Sequence, residues 1–242
     1  MRAGCPNVAA MSPLRRVHAI TLDVGGTLIE PWPSVGHVYA EVAAQHGVWP
    51  VDVDELNRRF GAAWRARRDF HHTPAEWFDL VRQTFGTEAR RLPGTFFPAV
   101  YARFEEPGAW RLCPDALPAL DALASRGVRL GVISNWDERL EPLLRALRLR
   151  SFFEVVTVSC DVGFTKPSSV IFEQAVRKFG LPAGRILHVG DSAREDAEGA
   201  SGAGLQALHL DRSRTTAPKD GRIAALTELD GLVGVAAPAG RP

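Results

Sequence analysis

Apolar and polar positions follow three rhythms along this chain. Residues 17–22 (VHAITL) are apolar on both faces except at His18 and Thr21, which predicts a short buried strand ending at one carboxylate, Asp23. From Ser34 the rhythm becomes helical. Ser34 heads a face of Val35, Val38, Tyr39 and Val42 that stops at Gly47. Asp52 and Glu55 predict a second helix to about Arg68. Thr73, Pro74 and Glu76 open a third that carries Trp77, Phe78, Leu80, Val81 and Phe85 and closes at Gly86, and a fourth spans 96–105. From Cys113 onward helices (115–125, 140–149, 168–179, 195–203) alternate with strands (128–133, 155–158, 186–189, 205–210).

Alternation of this kind predicts an α/β fold: a Rossmann-like, doubly wound parallel sheet covered by helices on both faces. Residues 16–33 and 109–212 would build it. Residues 34–108 interrupt it after its first strand as an all-helical insertion, joined through connectors at 30–33 and 108–114. Residues 1–15 read as an extension, too poor in apolar residues for a signal peptide and with a second possible start at Met11. Residues 213–242 read as a Pro-, Gly- and Ala-rich tail, partly ordered, with one helix near 222–229.

Composition narrows the function. The 242 residues carry a net charge of +1, which gives no bulk attraction to nucleic acid or to an anionic membrane. No apolar run approaches the roughly 18 residues of a membrane span. Three scattered cysteines suggest a reducing, cytoplasmic setting. Among 29 basic residues only Lys166, Lys178 and Lys219 are lysines. In a chain that otherwise uses arginine, a lysine points to a need for a compact ammonium.

Asp23, Ser134, Lys166 and Asp191 each lie at or just after a predicted strand end, and in a parallel sheet those ends share one edge. Two carboxylates, a hydroxyl and a lysine suit a phosphoryl group with Mg²⁺, which takes carboxylate, water and phosphate oxygens.

With these residues in place the sequence resembles the haloacid dehalogenase superfamily. The motifs are Asp23-Val24-Gly25-Gly26-Thr27, Ser134-Asn135, Lys166-Pro167 and Gly190-Asp191-Ser192-Ala193-Arg194-Glu195-Asp196, and the likeness covers roughly residues 16–212. The helical insertion is similar to that family's first type of cap. The resemblance implies a hydrolase acting on a small phosphorylated molecule. Asp23 would be nucleophile and metal ligand, joined at Mg²⁺ by the Gly25 carbonyl and Asp191, with Asp196 steering a water. Thr27, Ser134 and Asn135 would hold the phosphate, and Lys166 would shield the charge between Asp23 and phosphate. Nothing in the resemblance sets an oligomeric state.

One departure matters. Phosphatases of the family carry a second Asp two positions after the nucleophile, as general acid and base, where this chain has Gly25. Such a loss typically costs about 10²–10⁴-fold in rate. Two alternatives follow: a non-catalytic phospholigand binder, or a dehalogenase, which also lacks that Asp but uses no Mg²⁺. Phosphonoacetaldehyde hydrolases need a cap lysine, and none precedes Lys166. The Asp-x-Gly-Gly-Thr signature of actin-like sugar kinases also matches, without the later motifs. Arg65, Arg67, Arg68, His71 and His72 read as a solvated basic face or, alternatively, as a cap surface over an anionic substrate. Trp136 could pack the sheet edge or line the pocket mouth. Glu195 could start a helix or add charge beside the metal.

Overall fold

Residues 16–48, 51–67, 70–214 and 220–232 are described by a computed structural model. Strands β1 (Ala19–Leu22), β4 (Arg129–Ser134), β5 (Val155–Val158), β6 (Ile186–Gly190), β7 (Gln206–Leu210) and β8 (Arg222–Ile223) form one parallel sheet in the order β5-β4-β1-β6-β7-β8. β1 is central, with Leu22 opposite both Val132 and Val189. Its C-terminal end, and hence Asp23, therefore lies between the ends of β4 and β6, where open α/β sheets bind ligands.

Two apolar layers sandwich the sheet. One packs Ile20, Leu22, Leu120, Leu123, Leu130 and Leu187, with Ile223, Leu226 and Leu229 from beyond residue 219. The other packs Ile133, Ile171, Phe172, Phe179 and Ile186. Each such side chain contributes about 1.5–3 kcal/mol when fully buried.

The insertion holds four helices, α1 (Val35–Gln45), α2 (Val53–Ala66), α3 (Pro74–Phe85) and α4 (Phe96–Arg103), around a third core that includes Tyr39, Leu56, Phe85 and Phe96. The capping signals set its helix starts. Ser34 Oγ accepts from His37 N at 3.3 Å. Thr73 and Glu76 form a reciprocal capping box. At the second helix only Asp52 caps, because Glu55 turns to Arg58 and Arg59 instead.

The structure differs from the sequence reading in three places. The connectors are paired: β2 (Ile29–Pro31) and β3 (Trp110–Leu112) form an antiparallel ribbon, reinforced by Trp32 N to Ala109 O at 2.8 Å and Arg111 to Glu30 at 2.6 Å. In place of a helix at 222–229 stand β8, one 3-10 turn (Leu226–Glu228) and a short helix, Leu229–Leu232. The expected helix over 195–203 begins as a π-helical turn, Ala193–Glu198, continued by Gly199–Gly202. Residues 1–15 and Arg68 lie outside the described residues.

Candidate active site

The end of β1 delivers Asp23 into a buried polar cluster. Asp23 Oδ1 accepts from Ser134 Oγ at 2.8 Å and from Lys166 Nζ at 2.7 Å. The Lys166 ammonium spends its other two donors on Asp196 Oδ1 at 2.6 Å and the Ile133 carbonyl at 3.1 Å. Burial works against this charge, but Asp196 and Asp23 outweigh it and hold the ammonium protonated. Asn135 positions the lysine: its Oδ1 accepts from Lys166 N at 2.6 Å and its Nδ2 donates to Lys166 O at 3.1 Å.

Asp196 sits in the π-helical turn, where its Oδ2 accepts from Ser192 N at 2.9 Å. His188 Nε2 lies 3.0 Å from Asp196 Oδ1, and its Nδ1 lies 2.9 Å from Thr21 Oγ1. A carboxylate only accepts, so Nε2 carries the proton. Against the desolvation that burial imposes, Lys166 and His188 keep the Asp196 carboxyl well below the usual range. His188 escaped the sequence reading. Its signal was an imidazole in an otherwise apolar strand.

Carboxylate oxygens of Asp23, Asp191 and Asp196 all lie within 4.8 Å of one another. With Lys166 as the one buried ammonium in contact, the ionised cluster carries an excess of two negative charges. Desolvation, with the neighbouring Asp23 and Asp196 charges, pushes Asp191 up to about 7. Desolvation also raises Asp23. An all-oxygen donor set short of two positive charges fits a hard divalent cation. Gly26 makes the approach possible: at φ 77°, any Cβ there would fall 2.5 Å from Asp191 Oδ2.

Above the cluster opens a cavity of about 540 Å³, roofed by the helical insertion and lined at its base by Asp23, Gly25, Ser134, Asn135, Lys166 and Asp191. Thr27 stands apart. It is fully buried, its hydroxyl has no partner among the described residues, and it does not line the cavity. Glu195 reaches from core to cap, accepting from Asn135 Nδ2 at 3.2 Å and pairing with Arg67 at 3.5 Å. Arg65 lines the cavity from an exposed position. His71 points to solvent beside Glu76, whereas His72 is buried against Phe70 and Trp77. The cavity's aromatic wall was missed: Tyr39 and Trp77 read as the apolar faces of their own helices, and Trp64 carried no reading at all.

Comparison with known proteins places the chain in a family. The chain is 32% identical over 207 residues to haloacid dehalogenase-like hydrolase domain-containing protein 3 of Homo sapiens, covering 80% of this chain and 81% of that one. It is 40% identical over 109 residues to glyceraldehyde 3-phosphate phosphatase of Methanothermobacter thermautotrophicus, covering 44% and 48% of the two chains. A crystal structure of a HAD phosphatase from Thermococcus onnurineus superposes with a TM-score of 0.64 at 25% identity, over 89% of this chain and 97% of that one. The family model for haloacid dehalogenase-like hydrolases matches residues 17–204, and the chain belongs to that family.

Proposed function

We propose that this hydrolase is a Mg²⁺-dependent phosphatase that cleaves a small phosphorylated molecule through a phosphorylated Asp23. The observation that carries the reading is the Asp23–Asp191–Asp196 cluster, with two negative charges in excess and Lys166 at its centre. A metal-free dehalogenase has no use for the third carboxylate. Mg²⁺, when bound by Asp23, Asp191 and the Gly25 carbonyl, would draw negative charge from the phosphoryl oxygens. Asp196, held by Lys166 and His188, would add its charge and orient water.

The rest is done by the chain's own groups. Asp23 attacks phosphorus with one carboxylate oxygen. Ser134 and Lys166 fix its rotamer, and they donate to oxygen as charge builds there. Asn135 keeps the Lys166 backbone in register. The cap roofs the reacting atoms and limits water. No carboxylate stands at residue 25 to protonate the leaving group or to activate the hydrolytic water, so both proton transfers fall to solvent.

Acetyl phosphate needs no acid to leave and therefore tests the reading directly. Mg²⁺-dependent release of phosphate is expected, with Asp23→Asn inactive. Equal hydrolysis after chelation of metal, or by Asp23→Asn, would overturn it.

A further inference from the structure

Gly25 is more than a missing acid. A Cβ built there would lie 3.2 Å from Cζ3 of Trp136, so the indole borders the space that an acidic side chain would enter. The indole is fixed in place. Its ring packs on Trp110 with centroids 5.2 Å apart, and the Trp136 backbone N–H and C=O both bond to Ser159 Oγ at 3.0 Å. An indole ring therefore stands beside the reacting centre where the family's phosphatases place a proton donor.

The cavity continues that surface into the cap. Trp64 and Trp77, stacked 5.7 Å apart, line it, as do Tyr39 and His72. Two of its arginines are already committed. Arg139 is bound twice by Asp137 side-chain oxygens, and Arg67 lies 3.3 Å over the Trp64 ring and pairs with Glu195. Arg65 is exposed at the rim. Apart from Ser134, Asn135 and Ser192 at the base and the indole N–H groups, its uncharged polar groups are the Tyr39 hydroxyl, which makes no hydrogen bond among the described residues, the Tyr101 hydroxyl, which donates to Glu138 at 3.1 Å, and the His72 imidazole, whose Nδ1 has no partner among them. Such walls suit one or two polar substituents on an apolar body and leave the hydroxyls of a sugar unsatisfied.

We infer that the substrate is an aryl phosphate, the phosphate monoester of a phenolic hydroxyl, with its ring on Trp136 and in the aromatic chamber. This rests on the phosphatase reading, and leaving-group chemistry supports it independently of the walls. A phenol ionises near the tyrosine value of about 10, whereas an alkanol resembles water at about 15.7. A phenolate leaves without a proton donor and an alkoxide does not. In the first step the Asp23–phosphorus bond forms as the aryl oxygen–phosphorus bond breaks. The electron pair departs on the phenolate, which takes a proton from water. A second water then attacks phosphorus, gives its proton to solvent, and releases phosphate and the Asp23 carboxylate.

The experiment compares kcat/KM of the full chain with Mg²⁺ on acetyl phosphate, phenyl phosphate, 1-naphthyl phosphate and glyceraldehyde 3-phosphate. Binding of naphthylmethylphosphonate, which cannot be hydrolysed, is read in parallel by tryptophan fluorescence. We expect at least a ~100-fold preference for the aryl esters over glyceraldehyde 3-phosphate, the low end of the general-acid range. Naphthyl should show a lower KM than phenyl, and Trp136→Leu should narrow the aryl-to-alkyl ratio by about tenfold, the equivalent of about 1.4 kcal/mol. Hydrolysis of acetyl phosphate with glyceraldehyde 3-phosphate matching the aryl esters overturns the inference and leaves the phosphatase reading intact. Phosphonate binding with no turnover of any substrate overturns the phosphatase reading and keeps the ligand class. Neither binding nor turnover overturns both.

Discussion

Trp77 of the cap donates its indole N–H to Asp137 Oδ2 of the core at 3.1 Å. Asp137 is buried and also bound by Arg139, whose Nη1 returns to the cap at the Tyr101 carbonyl, 2.8 Å away. Trp77→Phe keeps a ring and removes the donor, leaving a buried carboxylate one bond short. A hydrogen bond to a charged group contributes about 1.5–3 kcal/mol. That loss is expected in urea unfolding, together with faster amide exchange in α3. Unchanged stability would show that this bond does not hold the cap down.

Lys166 is 4% exposed, and all three of its ammonium donors are taken. Lys166→Arg must fit a larger, planar group into that space. Lys166→Met leaves Asp23 and Asp196 facing each other unpaired, and breaking a buried pair costs about 3–5 kcal/mol. Both variants should lose acetyl phosphate hydrolysis, and Lys166→Met should unfold at markedly lower urea. An active Lys166→Arg enzyme would contradict the role assigned to the ammonium.

The pH dependence of stability should carry a signature of His72. Burial pulls its imidazole down from 6.5 to about 4. As pH falls below 6.5 the unfolded chain takes up a proton that the native state refuses until about 4, so stability is lost progressively across that window. At 1.36 kcal/mol per pKa unit the full loss is on the order of 3 kcal/mol. His72→Asn, which tolerates the backbone at φ 65°, should flatten the slope between pH 6.5 and 4 in urea titrations. A slope that survives the substitution would place its source elsewhere.

Asp191, at about 7, lets a proton compete with a cation near neutrality. Its folded value lies above the unfolded one. Ionising it as pH rises from about 4 to about 7 therefore destabilises the metal-free fold, and a bound cation removes that penalty. Mg²⁺ should raise Tm more at pH 8 than at pH 6. Asp191→Asn should abolish the shift. A parent whose Tm ignores Mg²⁺ at pH 8 would argue against the cation site.

Restoring an acid at residue 25 requires room as well as a carboxylate. Because Trp136 Cζ3 would lie 3.2 Å from the new Cβ, Gly25→Asp alone should gain little on an alkyl phosphate. Gly25→Asp combined with Trp136→Ala should raise alkyl phosphate turnover by at least ~10-fold, a conservative part of the acid–base range. Steady-state rates of the three proteins on glyceraldehyde 3-phosphate decide it. A single variant as fast as the double would mean that the indole yields freely.

What could be read from the sequence depended on how strongly each segment declares itself. β1, β4 and β6 are apolar on both faces because helices cover both faces, and the polar residue ending each run marks the sheet edge. β2 and β3 are three residues each, and the partner of Ile29 is Leu112 across the whole insertion, so no local pattern announces the ribbon. β8 has two residues. The aromatic wall was hidden because a side chain facing a cavity between helices keeps the spacing of one facing a core. Thr27 shared a motif with Asp23, yet it is fully buried and does not line the cavity.

The position of β1 also shapes how the chain is made. The central strand leaves the ribosome before either of its partners, which begin only at Arg129 and Ile186. Until then Ala19, Ile20 and Leu22 have no sheet to join, while the apolar core of the helical insertion lies wholly within 34–108 and needs no later residue. Parallel pairing across such separations is slow and leaves edges open. The nascent chain thus carries the whole cap core before β1 has a partner strand. β1, one residue from Asp23, is the segment a chaperone would have most reason to cover during synthesis.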